Sequence, residues 1–272
     1  MGLPEDLEGH LPETLRRLVP RRYDVVGDIA ILSLPDELRA CGPLIAGVIT
    51  TKRKHIRSVL NKVTMVGGEK RLASFEVLAG HSTVTKHREF GIPYRLDLAR
   101  VFFNPCLAAE RNRVAMQGVA GETVLVPFAG IGPFVLPLAR RGMTVVAVEK
   151  NIDAVHWLRE NVRGNNAEDR VDIIEGDARH MALYGDRIYD RAVIPAPYGM
   201  DSILSVVIPL VRAGGIIHFY TFKKDREIAD LISSFMTGGL ETVYWHRCGS
   251  VAPGVYRVVF DLVKTIRGRE DC

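Results

Sequence analysis

The feature that most constrains the fold is an alternation of short apolar runs with helix-like segments after about residue 120. The runs ETVLVPF, TVVAVEK, VDIIEGD, DRAVIP and GGIIHFYTF are rich in β-branched residues and follow one another at helix-sized intervals. Strands without polar alternation are buried on both faces, which is typical of a parallel sheet covered by helices. The C-terminal part of the chain therefore predicts an α/β fold.

The end of the chain follows a different pattern. The runs VYWHRCG and VYRVVFDLV are joined by SVAPG, which is too short to hold a helix. Strands joined by so short a connection pair in antiparallel fashion. We predict a parallel sheet that ends in an antiparallel hairpin. One intervening helix should be capped by Asn151 or Asp153 and should end near Gly164.

The first hundred residues lack this rhythm. YDVVGDIAILSL predicts a hairpin around Gly27, and PDELRACGPLIAGVITT predicts a helix that begins with proline and acidic residues. FEVLAG, STVTKHREFG and PYRLDLA predict short strands. We expect a small α+β domain over residues 1–98, with a linking or RNA-binding role, followed by a larger domain over residues 99–272.

Composition excludes several classes of protein. The 272 residues are 47% hydrophobic and 25% charged, and no run approaches the length of a membrane span or a signal peptide. The four cysteines are scattered without a CxxC pair, which argues against a zinc site and a disulfide framework. We expect a cytoplasmic protein without a metal or a membrane partner. A net charge of +4 mildly favours a polyanionic partner.

A glycine-rich turn follows the first strand of the larger domain. VLVPFAGIGPF places Gly130 and Gly132 between a strand and a helix, where glycine allows a sharp turn and close approach of a ligand. A tight turn without a ligand explains such a match equally well. However, the next two strands end in Glu149 and Asp177, which could bind a ribose diol and an adenine amino group. Together these features favour a nucleoside site, and the missing third glycine favours S-adenosylmethionine over NAD.

A proline-rich loop follows the fourth strand. VIPAPYGMDS contains Pro195, Pro197 and Tyr198, which could form a rigid edge against which a flipped base stacks. A simple turn is the alternative. Because VIPAPYGMDS resembles the active-site loop of enzymes that methylate a base nitrogen, we predict that the loop belongs to the catalytic region.

Several stretches together resemble one family, the tRNA methyltransferases that modify N1 of guanosine 37, with their wyosine-pathway relatives. The resemblance rests on FFNPCLAAERNRVA, PFAGIGPF, GGIIHFYTFKKD, SVAPGVYRVVFDL, YDVVGDIAIL and FEVLAG. It implies a Rossmann-like class I methyltransferase sheet, S-adenosylmethionine as cofactor and the anticodon loop of tRNA as partner. We expect a monomer that lacks the family's N-terminal domain for the tRNA elbow.

The resemblance also assigns roles to residues. It implies that Glu122 is the general base and that the loop residues named above are catalytic. Three polar positions of the family are changed: Cys106 replaces an arginine, Pro195 an asparagine and Val126 an acid. The predicted cofactor-binding residues are Phe128, Ala129, Gly130, Gly132, Glu149, Lys150, Asp177 and Ala178, and the predicted RNA-binding residues are Arg111 and Arg113.

These changes leave the chemistry open. Methylation of guanine N1 builds negative charge on the guanine oxygen, which an arginine stabilises well and a cysteine poorly. Either nearby groups such as Tyr198, Arg111 or Arg113 substitute, or the reaction differs. One alternative is transfer of the 3-amino-3-carboxypropyl group; others are a non-tRNA substrate and a cofactor-binding protein without turnover. His218 is expected in the core, and the cations of residues 51–57 are equally a solvated loop or a phosphate-binding patch.

Overall fold

The structure is a computed structural model and describes residues 2–63, 73–184 and 186–265. The chain divides into two compact units, Met1–Pro105 and Cys106–Cys272. Within the described residues, no helix is both long enough and apolar enough to cross a bilayer.

In residues 2–63 and 73–105, the first unit contains three α-helices and six strands. The helices are α1 (Leu3–Asp6), α2 (Glu13–Arg16) and α3 (Gly42–Lys52), and a 3-10 helix (Asp36–Cys41) leads into α3. The strands are β1 (Asp24–Val26), β2 (Ile29–Leu32), β3 (Ser58–Lys62), β4 (Phe75–Ala79), β5 (Val84–Glu89) and β6 (Ile92–Asp97).

Two sheets organise this unit. The first has the order β1-β2-β3-β4, and β5 pairs with β6 in a separate hairpin. The predicted turn between β1 and β2 is confirmed, and Gly27 has a φ of +60° that glycine adopts without strain. Strands β2 and β3 run parallel, and the segment that joins them includes α3. The core beneath this sheet contains Leu32, Ile45 and Val59, all fully buried.

The described residues of the second unit form five α-helices and seven strands. A 3-10 turn (Pro105–Leu107) precedes α4 (Ala108–Gln117), and the later helices are α5 (Val135–Arg140), α6 (Ile152–Gly164), α7 (Ile203–Val207) and α8 (Asp225–Thr237). The strands are β7 (Thr123–Pro127), β8 (Thr144–Glu149), β9 (Val171–Glu175), β10 (Tyr189–Pro195), β11 (Val211–Lys224), β12 (Leu240–Ala252) and β13 (Val255–Lys264). Shorter 3-10 helices span Glu168–Arg170, Ala178–Tyr184 and Ile208–Leu210.

The seven strands form one sheet in the order β12-β13-β11-β10-β7-β8-β9. Strands β7 to β11 run parallel, whereas β13 pairs antiparallel with both β11 and β12. The predicted α/β fold with a terminal antiparallel hairpin is therefore confirmed. The chain moves outward from β7 to β9 and then returns to β10 on the other side of β7. Such a reversal opens a crevice at the carboxyl ends of the two central strands.

Local signals explain several element boundaries. The side chain of Asn151 accepts a hydrogen bond from the backbone N–H of Asp153, so Asn151 caps α6, and α6 ends at Gly164 as predicted. The central strands are almost wholly buried, including Leu125, Val146 and Ile194. Their β-branched and apolar composition suits a sheet with helices on both faces. The sheet therefore provides a rigid frame for the loops at its carboxyl edge, by which we mean the ends of β7, β8, β9 and β10.

Candidate active site

The turn after β7 has an unusual backbone. Phe128, Gly130 and Gly132 have positive φ values of 55°, 56° and 93°. A non-glycine residue in this region is strained, and such strain concentrates at functional sites. A Cβ on Gly130 would meet no atom within 4 Å, whereas a Cβ on Gly132 would lie 2.7 Å from the Leu158 side chain. Gly130 therefore faces open space suited to a ligand, and Gly132 permits close packing of α6.

Glu149 connects this turn to the end of β8. One carboxylate oxygen accepts a hydrogen bond from the Gly130 N–H at 2.8 Å, and the other accepts from Asn151 at 2.8 Å and Lys150 at 3.0 Å. The adjoining Ala129 N–H donates to the backbone oxygen of Val148. A carboxylate offers about four acceptor sites. Glu149 is thus held in place with capacity left for a further donor such as a ribose hydroxyl.

Asp177 lies just beyond β9. The Gly176 N–H donates to the Glu149 backbone oxygen at 2.9 Å, which brings the ends of β8 and β9 together. The side chain of Arg179 binds both Asp177 oxygens, at 2.6–3.1 Å, and these bonds hold the pKa of Asp177 well below its usual range. Lys150 lies 3.8 Å away, and Ala178 is buried. A contact from Asp177 to an adenine amino group would share the carboxylate with Arg179.

The loop after β10 presents an aromatic surface. Pro195 ends the strand in register with Tyr220, and Tyr198 is 69% exposed. The Tyr198 ring lies 5.6 Å from the ring of Phe222. Asp201 accepts hydrogen bonds from Thr221 and Lys223, which ties the loop back to β11. With Pro195 and Pro197 at its base, the loop holds Tyr198 beside the carboxyl edge.

The structure does not bring Glu122 to this edge. Glu122 precedes β7, and the five residues of that strand span roughly 16 Å. Its carboxylate pairs with Arg191 at 2.9 Å and 3.1 Å at the amino end of the sheet. This position, about one strand length from the carboxyl edge, does not support the expectation that Glu122 acts as the general base. The resemblance matched Glu122 by its place shortly before the glycine turn, and β7 separates the two.

The two arginines predicted to contact RNA are also misplaced for that role. Arg111 is only 3% exposed. Arg113 pairs with Asp261 at 2.6 Å and with Glu110 at 3.1 Å, so its charge is neutralised inside the unit. Both residues lie on α4, and Arg113 faces Asp261 of β13. The sequence shows that these arginines are present but not which partners the fold gives them.

The second unit also contains a charge cluster, which includes Arg113 and which the sequence patterns do not indicate. We use this name for Glu110, Arg113, Glu122, Arg191, His218 and Asp261. His218 is fully buried, as predicted; its Nε2 lies 2.7 Å from Arg191 and its Nδ1 lies 2.7 Å from Asp261. Because Arg191 can only donate, His218 is neutral with its proton on Nδ1. Burial lowers the pKa of His218. Burial would raise the pKa of Asp261, but bonds from His218 and Arg113 hold it well below its usual range.

Another buried arginine was missed because it lies inside an apolar strand. Arg257 on β13 is 8% exposed and stacks over the Phe222 ring at 4.9 Å. Nothing in VYRVVFDLV distinguishes it from an edge-strand cation facing solvent. Its register with Phe222 places it beside the Tyr198 loop.

The first unit carries a groove of about 440 Å³. Its lining residues are Val25, Gly27, Asp28, His55, Lys86, His87 and Arg88. His55, Lys86 and Arg88 are exposed, whereas His87 is half-buried and accepts a hydrogen bond from Gly27. Part of the cationic stretch at residues 51–57 thus contributes to a basic groove.

Comparison with known proteins identifies the family. A sequence model of the TRM5/TYW2 methyltransferase domain matches residues 85–236, and a model of the TYW2 N-terminal domain matches residues 3–83. One similar protein is the tRNA (guanine(37)-N(1))-methyltransferase Trm5b of Pyrococcus abyssi, 36% identical over 78% of this chain and 63% of that protein. The chain thus spans less than two thirds of this relative.

A second relative matches along nearly its whole length. The tRNA(Phe) (4-demethylwyosine(37)-C(7)) aminocarboxypropyltransferase of Pyrococcus horikoshii is 33% identical over 95% of this chain and 94% of that protein. Among solved structures, P. horikoshii TYW2 in complex with MeSAdo has a TM-score of 0.80, with 31% identity over 96% of this chain and 97% of that one. The chain belongs to the TRM5/TYW2 methyltransferase family.

Proposed function

We propose that the protein is an S-adenosylmethionine-dependent transferase that modifies tRNA at nucleotide 37, with methyl transfer to N1 of guanosine as the leading reaction. The single observation that supports this most is the arrangement at the carboxyl edge. Neighbouring strands of one sheet are followed by an open turn at Gly130, a carboxylate held at Glu149 and an exposed Tyr198 that packs against Phe222. Family membership adds the reaction class, since the similar proteins are named as tRNA-modifying transferases.

The residues of the glycine turn fit the cofactor. The space beside Gly130 would admit the amino-acid part, Glu149 would accept from the ribose, and Asp177 would lie near the adenine. Phe128, Ala129, Lys150 and Ala178 are chain neighbours of these three residues and complete the proposed site. When bound, S-adenosylmethionine supplies an electrophilic carbon attached to a sulfonium.

The protein's own part in the reaction is to hold the base and manage its charge. Tyr198, with Phe222 behind it, offers a stacking surface for a base that has left its helix, and base–aromatic stacking contributes about 1–3 kcal/mol. Pro195 and Pro197 restrict the backbone beneath it. Guanine N1 must lose its proton before it can attack, and the negative charge that remains spreads to the neighbouring oxygen. The reaction therefore needs a hydrogen-bond donor near Tyr198 more than it needs a base as distant as Glu122.

The basic groove of the first unit supports an RNA partner. His55, Lys86 and Arg88 are exposed around it, and phosphate contacts of this kind supply much of the affinity for nucleic acid. Each lost contact should weaken tRNA binding and lower the slope of log affinity against log salt by about 1. The double variant Lys86→Glu, Arg88→Glu should do both. Arg187→Glu, on an exposed ion pair of the second unit, serves as the control.

One incubation tests the central proposal. Undermodified tRNA is treated with the protein and methyl-labelled S-adenosylmethionine, and nuclease digestion then locates the label. We expect the label at guanosine 37, and none in a tRNA that carries adenosine there. Transfer to no RNA would contradict the proposal and leave a cofactor-binding protein or an enzyme for another substrate.

A second reaction, transfer of the 3-amino-3-carboxypropyl group, is favoured by specific observations. The TYW2 N-terminal model matches residues 3–83, and the P. horikoshii aminocarboxypropyltransferase aligns over 94% of its length. Cys106 and Pro195 also replace polar residues that the methylating relatives carry. Carboxyl-labelled cofactor separates the reactions: it labels tRNA only if the carboxypropyl group moves, whereas methyl-labelled cofactor labels tRNA only if the methyl group moves.

A further inference from the structure

Arg257 is the most unusual charged residue of the second unit. It is 8% exposed and lies on β13, in register with Phe222 of β11 and Gly249 of β12. Its guanidinium stacks over the Phe222 ring at 4.9 Å. Since β11 continues past the end of β10 at Pro195, this position lies beside the loop that carries Tyr198.

The described part of the chain gives Arg257 no carboxylate within ion-pair distance. Other arginines of this unit differ: Arg113 pairs with Asp261, Arg191 with Glu122, and Arg247 with Asp225. Burial lowers the pKa of Arg257, and the nearby charge of Arg111 acts in the same direction. A buried guanidinium without a counter-ion is costly, so such residues are retained where they bind something.

The surroundings indicate what it binds. The Arg257 guanidinium lies over the Phe222 ring, and the exposed Tyr198 ring lies 5.6 Å from Phe222 at an angle of 56°. A planar base stacked on Tyr198 would bring its oxygen-bearing edge toward a fork of N–H donors. Arginine suits this geometry because it is planar, always charged and itself stacks on rings. Cys106, where the resemblance implies an arginine, lies close enough for its thiol to influence Arg257.

We propose that Arg257 donates hydrogen bonds to the carbonyl oxygen of the target purine and supplies the positive charge that position 106 lacks. This inference rests on the proposed function. In N1 methylation the N1–H bond would break and the proton would pass to water, while the electron pair stays on the base. As the bond between the methyl carbon and the sulfonium breaks and its electron pair leaves with the sulfur, the pair on N1 would form the new N–C bond. Until that bond forms, the charge is shared by N1 and the oxygen, and Arg257 stabilises it. A donor of this kind typically contributes about 100- to 1,000-fold in kcat.

The test uses the full chain with undermodified tRNA and compares Arg257→Met with Arg247→Met. Arg247 also stacks on an aromatic ring, Tyr256 at 4.6 Å, but has a carboxylate partner and is exposed. We expect kcat of Arg257→Met to fall about 100- to 1,000-fold and that of Arg247→Met to stay within about threefold. The melting temperature of Arg257→Met should not fall, because an unpaired buried charge is removed. If Arg257 were only structural, Arg257→Met would lower the melting temperature and leave kcat close to that of the wild type.

Further readouts separate the base from the cofactor. Calorimetry should give Arg257→Met an S-adenosylmethionine Kd within about threefold of the wild type; a loss of tenfold or more would mean that Arg257 holds the cofactor carboxylate. Without the guanidinium, N1 loses its proton less readily at neutral pH. The residual activity of Arg257→Met should therefore rise with pH. The double variant Arg257→Met, Cys106→Arg contains a guanidinium at position 106 in place of the one at 257. Its kcat should be at least about tenfold higher than that of Arg257→Met alone.

The outcomes distinguish this inference from the function on which it rests. If the wild type transfers no group to tRNA, the proposed function fails and the role of Arg257 fails with it. If the wild type is active and Arg257→Met keeps kcat within about threefold, only the role of Arg257 is overturned. The same conclusion follows if Arg257→Met loses activity, cofactor affinity and melting temperature together.

Discussion

Two regions of the second unit treat charge in opposite ways. In the charge cluster, each arginine has a carboxylate: Arg113 has Asp261 and Glu110, and Arg191 has Glu122. Beside the carboxyl edge, Arg257 is buried with no carboxylate at ion-pair distance among the described residues, Tyr198 is exposed and Phe128 has a strained backbone. Paired charges stabilise the fold, whereas an unpaired buried charge or a strained backbone is typical of a site that binds a ligand. We therefore assign a structural role to the charge cluster and a role in the reaction to the region of the carboxyl edge.

The largest effect should come from breaking the charge cluster. Arg113→Met would leave Asp261 and Glu110 buried without their arginine, and removal of one partner from a buried pair costs about 3–5 kcal/mol. Urea denaturation measures the loss in unfolding free energy. The matched variant Arg187→Met breaks an exposed pair with Asp172 and should leave the unfolding free energy close to that of the wild type, because exposed ion pairs contribute little. Equal losses for the two variants would contradict the assignment of the cluster to structure.

The two glycines of the turn should separate packing from binding. Both have positive φ, so either alanine variant carries a backbone penalty of about 1–2 kcal/mol. Gly132→Ala also forces a Cβ to within 2.7 Å of Leu158, which adds about 1–3 kcal/mol of overpacking. Denaturation should show the greater loss for Gly132→Ala. The Cβ of Gly130→Ala enters the open space proposed for the ligand. Relative to its loss of stability, Gly130→Ala should therefore lose more cofactor affinity than Gly132→Ala in a cofactor titration. The reverse order of the two cofactor affinities would contradict a ligand beside Gly130.

Removal of the stacking ring should affect activity alone. Tyr198→Ala should lower kcat/KM on tRNA by the equivalent of about 1–3 kcal/mol, the usual contribution of a base–aromatic stack. Because Tyr198 is 69% exposed, stability should change by less than about 0.5 kcal/mol. Tyr198→Phe keeps the ring and should remain active. A fully active Tyr198→Ala would remove the loop from the catalytic region.

The smallest effect concerns pH. Burial lowers the pKa of His218 in the folded state, so below the ordinary value near 6.5 the unfolded chain takes up a proton that the folded chain refuses. Stability is therefore fully present above about pH 6.5 and falls as the pH decreases, by up to about 1.4 kcal/mol per unit. His218→Gln should have a shallower slope between pH 6.5 and pH 5. Identical slopes for both proteins would show that His218 is protonated inside the cluster.

The sequence allowed most of the sheet to be predicted. The strands from β7 to β13 and the antiparallel end follow from β-branched runs and from connection lengths, which are local signals. The turn at Gly130 and the acids at Glu149 and Asp177 could be placed because strand ends of a parallel sheet share an edge.

Side-chain partners could not be predicted in the same way. Glu122 lies close to the turn in sequence but at the far end of a strand, and Arg113 faces Asp261, which is 148 residues away. Arg257 stands in an apolar strand whose neighbour Phe222 is known only from the register. Each of these depends on tertiary pairing, which periodicity does not encode.

Calorimetric titration of S-adenosylmethionine into two glutamine variants tests the central claim most directly, since Glu149 and Glu122 stand at opposite ends of the same sheet. Loss of a charged hydrogen-bond acceptor costs about 1.5–3 kcal/mol, so Glu149→Gln should weaken the cofactor Kd by about tenfold or more. Glu122→Gln should leave that Kd within about threefold while lowering stability through its pair with Arg191. Weaker binding by Glu122→Gln alone, or no heat of binding in the wild type, would contradict a cofactor site at the carboxyl edge.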